Sequence, residues 1–160
     1  MQNIYIAAVG KLKEKYLRDA FAEYEKRLSA FCRFRVIEID EERLPDKPSE
    51  AEIKNGIEKE ADRILKKIPE NRFLVSPCVE GGQMSSEEFA DTVKKSAVDG
   101  FSNLVFVIGG SFGLSDRIKK QSQKRLSFSK MTFPHQLARC MLLEQIYRAF
   151  EISSGGKYHK

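Results

Sequence analysis

With 160 residues, 41% of them hydrophobic, the chain has enough apolar material for one packed α/β domain spanning 1–160, which excludes a disordered chain and leaves little room for a second domain. No run approaches the roughly 18 apolar residues of a membrane helix, so no membrane partner is expected. The net charge of +5 is uneven: +4 over residues 1–35, −7 over 36–116 and +8 over 117–160.

Ile4–Val9 reads as a buried strand closed by Gly10. No basic segment precedes this run, which is strand-sized rather than signal-peptide-sized, so a cytoplasmic location is expected. Leu17, Phe21, Tyr24, Leu28 and Phe31 recur at steps of four and three, one face of a helix. Phe34–Ile39 alternates as a second strand. Ser49-Glu50-Ala51-Glu52 is a capping-box pattern, opening a helix with Ile53, Ile57, Ile64, Leu65 and Ile68 on its apolar side. Phe73-Leu74-Val75 is a strand that Pro77 should terminate. Ser85-Ser86-Glu87-Glu88 offers a second capping box, before a helix with Phe89, Val93 and Ala97 inward. Asn103–Ile108 is the clearest buried strand, and a short helix follows from Ser115. Leu126–Ser129 reads as a strand, Pro134 precedes a long amphipathic helix, and Ser153–Lys160 is a polar tail.

Strands alternating with helices predict a mostly parallel sheet flanked by helices. Such sheets bind ligands beyond the carboxyl ends of their strands, here the loops after Val75, Ile108 and Phe128. The three cysteines, Cys32, Cys78 and Cys140, are odd in number and far apart, and only two histidines are present. Neither a disulfide framework nor a metal site is expected. The two basic chain ends form either a polyanion-binding surface or a solvated face.

Two segments carry chemistry. Gly109-Gly110-Ser111-Phe112-Gly113 lies between a strand and a helix, where backbone amides can meet a ligand. It matches neither GxGxxG nor a P-loop, and a plain tight turn explains it equally well. In Leu126–Phe133, serine and threonine alternate with apolar residues up to Pro134-His135, as an edge strand or as a loop gripping a ring through its backbone.

Taken together, Val107-Ile108-Gly109-Gly110-Ser111 with Gly113-Leu114, Leu126 through His135, Glu144 through Ala149, Tyr158-His159-Lys160 and Ala8-Val9-Gly10-Lys11 are similar to the RlmH-type enzymes of the SPOUT superfamily. The resemblance runs over essentially the full length. It implies an α/β fold with a deep C-terminal trefoil knot, an exception to unthreaded chains, and a homodimer whose active sites are completed across the interface. It also implies S-adenosyl-L-methionine as cofactor and methylation of N3 of a pseudouridine in bacterial 23S rRNA, on the assembled ribosome. Carried over by motif, the cofactor contacts are Pro77, Gly109, Phe128, Ser129, Lys130, Met131, Thr132 and Phe133. Family members often have leucine where Pro77 stands, so that contact is made through the backbone. Phe112 replaces the glutamate of some relatives, whose carboxylate is therefore not required here.

Methyl transfer is an in-line displacement needing the sulfonium methyl and the nucleophilic nitrogen about 3 Å apart. The N3–H of pseudouridine is a weak acid, so its proton must be removed or its anion stabilised. Family members end in the same Tyr-His-basic pattern, and the tail is expected to fold over the site when RNA binds: Tyr158 to stack on or orient the base, His159 to assist proton removal, and Arg139, on the long helix, to hold phosphate or the developing charge. His135, beside Pro134, reads as structural or as cofactor-side. Glu144 and Arg148, at i and i+4, read as a structural ion pair. The competing readings are a non-catalytic RNA- or ribosome-binding module, a flavodoxin-like nucleotide-binding enzyme, and a knotted methyltransferase acting on tRNA.

Overall fold

A computed structural model describes all residues from Met1 to Lys160. In chain order the elements are β1 (Asn3–Val9), α1 (Lys15–Leu28), β2 (Arg33–Ile39), α2 (Glu50–Lys67), β3 (Arg72–Gly82), α3 (Ser86–Val98), β4 (Asn103–Ile108), α4 (Asp116–Gln121), β5 (Lys124–Leu126) and α5 (His135–Ser153). The strands form one sheet in the order β2-β1-β4-β3-β5, every pair parallel. This is the parallel α/β class that the alternation predicts.

Strand periodicity divides the interior into two cores. Ile4, Ile6 and Ala8 of β1 and Leu104, Phe106 and Ile108 of β4 point to the face covered by α1, α3 and α5. The intervening Ala7, Val9, Val105 and Val107 point to the other face, against Ala61 and Ile64 of α2, Ile68 at its end and Ile118 of α4. Successive side chains on a strand alternate faces, so a strand buried on both sides must be apolar throughout, as Leu104–Ile108 is. α5 packs against both α1 and α3. Both capping boxes form: the hydroxyls of Ser49 and Ser85 accept from the amides of Glu52 and Glu88, at 3.2 and 3.1 Å, and each glutamate returns a bond. Such a cap is worth about 1 kcal/mol.

Three expectations are corrected. β3 does not stop at Pro77 but runs on to Gly82, with Pro77 at the edge of an irregularity in its pairing with β5, a place in a strand where proline is tolerated. Leu126 faces both Pro77 and Gly82, and the residues between bulge away from β5. Gly81 permits this, since a Cβ there would meet the backbone of Arg125 and Leu126 at 2.7–2.8 Å. β5 covers Lys124–Leu126 rather than Leu126–Ser129, and the serine-rich run beyond it is loop. In α3 it is Ala90 and Ser96, not Ala97, that join Phe89 and Val93 inside. No helix is long and apolar enough to cross a membrane.

Candidate active site

A cavity of about 640 Å³ opens at the carboxyl ends of β3, β4 and β5 and beside the start of α5. Its size falls in the range of small-molecule sites. The loops predicted from the parallel-sheet rule line it: Pro77–Glu80 after the regular part of β3, Ile108–Ser111 with Gly113 and Leu114 after β4, and Ser127–Ser129 with Met131–Phe133 after β5.

The loop after β4 owes its shape to glycine. Gly113 sits at φ +91°, a left-handed conformation open to glycine, and its N–H donates to the Gly110 carbonyl at 3.1 Å. Gly109 lies under this turn. A Cβ on it would collide with the carbonyl oxygen of Gly113, stand 2.6 Å from the carbonyl carbon and 3.1 Å from the Leu114 nitrogen. Gly110 packs on Val9, where a Cβ would meet Cγ1 at 3.1 Å.

Serine side chains organise the facing loop. The Ser127 hydroxyl donates to the Ser129 carbonyl at 3.0 Å, and the Ser129 hydroxyl accepts from the Met131 amide at 3.1 Å. The Ser127 amide donates to the Gly82 carbonyl, fastening the loop to the bulged end of β3. Local side-chain bonds of this kind replace the ladder a strand would offer. Of the eight predicted contacts, Pro77, Gly109, Phe128, Ser129, Met131, Thr132 and Phe133 line the cavity, whereas Lys130 does not.

Sequence reasoning missed Cys78, Val79, Glu80 and Lys119 on the same wall. Gly81-Gly82 signalled a close backbone approach, but Lys119 carries no local signal. Lys119 pairs with Glu80, and that bond holds the Glu80 carboxyl below the usual carboxylate range. Burial, and then the charge of Glu80, raise the Cys78 thiol. His135, the first residue of α5, also lines the cavity. Burial and the nearby Arg139 charge hold its imidazole below the ordinary histidine value. A second cavity of about 520 Å³ lies behind Ser127 and Phe128 and reaches Tyr24 and Glu144. No group of three or more His, Cys, Asp and Glu side chains is placed to hold a metal ion.

The remaining predicted residues stand elsewhere. Arg139 is 2% exposed, and its guanidinium donates to the carbonyls of Val9 and Gly10 at 3.3 Å each, with Nε unpartnered. It is thus neither a solvated arginine nor presented to a phosphate at the surface; it ties α5 to the end of β1. The polar tail is docked rather than loose. The Tyr158 hydroxyl donates to Glu144 at 3.0 Å, and its ring lies under the Arg148 guanidinium and against Tyr147. Desolvation, with hydrogen bonds to Tyr24 and Glu144, raises the Tyr158 phenol. His159 accepts from Arg148 through Nδ1 at 3.2 Å and donates from Nε2 to Glu87 at 2.8 Å. Glu144 and Arg148 form the expected pair at 2.6 Å. Neither tail residue lines the cavity of its own chain.

An all-parallel sheet with its large cavity on glycine- and serine-built loops at the strand ends defines an α/β domain that holds a small molecule at that rim. The family described as "Predicted SPOUT methyltransferase" matches residues 2–159, and the chain belongs to it. It is 53% identical over 158 residues to a ribosomal RNA large subunit methyltransferase H of Clostridium kluyveri, covering 99% of each chain. The protein of the same name from Streptococcus uberis is 49% identical over 157 residues, covering 98% of this chain and 99% of that one. Among solved structures, a probable methylase family protein from Haemophilus influenzae superposes with a TM-score of 0.54 at 13% identity. That alignment covers 99% of this chain and 71% of the other and speaks to the fold.

Proposed function

We propose that this methyltransferase transfers a methyl group from S-adenosyl-L-methionine to N3 of a pseudouridine in 23S rRNA, on the assembled ribosome. The observation that carries the reading is the convergence of Pro77, Gly109, Phe128, Ser129, Met131, Thr132 and Phe133 on one cavity. The near full-length relatives, named as large-subunit rRNA methyltransferases, support the substrate class.

The cavity fits the cofactor chemically. Its apolar walls suit a neutral ring, while loop amides and carbonyls suit hydrogen bonds to that ring's edge and to the sugar. Gly109 lets the loop after β4 fold tightly at the cavity's edge, since any Cβ there would collide with the Gly113 backbone. The bound cofactor supplies a methyl group activated by its sulfonium. Phe128 and Phe133 would flank the ring, and the backbone of Pro77, Gly109 and Thr132 would offer it contacts. The protein's own work is to hold the two reacting atoms in line and to keep water out.

The tail residues Tyr158 and His159 act on the target base in a homodimer, where each subunit's tail serves the partner's cavity. Their docking away from their own cavity, by Glu144, Arg148 and Glu87, supports this arrangement. A C-terminal trefoil knot belongs to the same reading, supported by the position of β5 at the sheet edge beside β3 and by the packing of α5 on α1 and α3. Arg139 anchors the start of α5, and its charge reaches the site through the protein interior.

The test is transfer of labelled methyl groups by the purified protein to ribosomes from cells lacking it, with naked rRNA and tRNA as alternatives. Label should enter ribosomal large-subunit RNA. Preference for tRNA, or no donor binding in a calorimeter, would reject the reading.

A further inference from the structure

Methylation at N3 releases a proton, and the groups on the cavity wall differ sharply in their ability to take it. Four of them ionise: Cys78, Glu80, Lys119 and His135. Lys119 and Glu80 are paired, and the pairing makes the carboxylate a weak base. The Cys78 thiol is raised, so it stays protonated and acceptor-poor. Only burial and neighbouring charges act on His135; no hydrogen bond occupies its ring. In contrast, both nitrogens of His159 are engaged, Nδ1 by Arg148 and Nε2 by Glu87.

We infer that His135, on the cavity wall at the start of α5, accepts the N3 proton of the target base during methyl transfer. This rests on the methyltransferase reading above and deepens it. In the step, the bond from N3 to the methyl carbon forms as the carbon–sulfur bond breaks. The sulfur keeps that electron pair and becomes a neutral thioether, while the N3 proton passes to a ring nitrogen of His135. The positive charge leaves the sulfonium and ends on the imidazolium, so atoms and charge balance, with no further reactant.

The surroundings favour an imidazole that is neutral at rest. Burial disfavours its protonation, and Arg139 on α5 and Lys13 after β1 act in the same sense; Glu41, after β2, opposes them. Across the cavity the charges of Glu80 and Lys119 offset each other. The acceptor is therefore ready at neutral pH, and protonation in acid removes it.

The experiment compares wild type, His135→Asn and His159→Asn at saturating donor, with ribosomes from cells lacking the enzyme, across pH. Binding of S-adenosylhomocysteine and thermal melting are measured in parallel. Wild type should lose rate in acid, below the ordinary histidine range, and His159→Asn should keep that acid limb. His135→Asn should bind the cofactor product normally but turn over about 10²–10⁴-fold more slowly. The histidine break and the plateau above it should vanish, and its rate should climb steadily with pH as the imide ionises unaided. A slower His135→Asn with an unchanged pH profile would assign His135 a structural role and overturn the inference. Unchanged turnover, or loss of cofactor affinity, would overturn it too. Should His135→Asn fail to fold, a wild-type profile flat into acid, or a limb removed by His159→Asn, refutes it alone. If wild type labels no ribosome at any pH, the methylation reading itself has failed.

Discussion

Replacing Gly109 with alanine puts a methyl group where the loop after β4 has no space. The new carbon would lie 2.6 Å from the Gly113 carbonyl carbon and 3.1 Å from the Leu114 nitrogen, with the Gly113 oxygen nearer still. Carbon contacts settle at about 3.5–4.0 Å, so the turn must retreat by about 1 Å. It cannot yield as a side chain would, because the atoms in the way are backbone and Gly113 is held by its bond to Gly110. Overpacking of this kind costs about 1–3 kcal/mol. A cost of that size in the bound state weakens the cofactor about 5–150-fold. Calorimetric titration with S-adenosyl-L-methionine measures it, with circular dichroism confirming that the variant is folded. Gly110→Ala is the control: its nearest neighbour is one Val9 methyl at 3.1 Å, which can shift a few tenths of an ångström, so a smaller loss is expected. Equal affinity of wild type and Gly109→Ala would refute the assignment of the cofactor to this loop.

Deleting Tyr158–Lys160 should collapse methylation while leaving cofactor affinity intact in titrations, since the tail does not line its own cavity. Glu144→Ala strips the acceptor from Arg148 and Tyr158 in a half-buried network, so urea unfolding should show a loss of about 1–3 kcal/mol. Cys78 should react first with maleimide and be protected by the cofactor. Cys32 and Cys140, 3% and 6% exposed, should stay unlabelled until unfolding, the Cys32 thiol being pushed up to about 11 by burial. Glu80 has a lower pKa in the folded protein than unfolded, so its pairing stabilises at neutral pH. That contribution is lost as pH falls through the depressed value. Lys119→Ala should flatten this part of the urea-stability profile against pH.

Much of the fold can be read from local pattern. Leu104–Ile108 announces a central strand because both of its faces are buried, and the two serines with glutamate three residues on announce α2 and α3. The cavity loops are readable for a related reason, since parallel strands place their ligand loops at one end. The sequence misleads where two structures share one pattern. Leu126–Phe133 alternates like a strand, but its serines bond to their own backbone and keep the segment in a loop. Pro77 reads as a stop, yet a bulge accommodates it. The setting of Arg139 and the docking of Tyr158 and His159 depend on partners 11 to 130 residues away. No window of sequence displays such contacts.

Mass spectrometry of nucleosides from large-subunit rRNA asks most directly whether this chain methylates N3 of a pseudouridine. Ribosomes from cells lacking the enzyme should carry that residue unmethylated, and incubation with the purified protein and S-adenosyl-L-methionine should add one methyl group at N3. A pseudouridine already methylated without the enzyme, or left unchanged by it, would contradict the account.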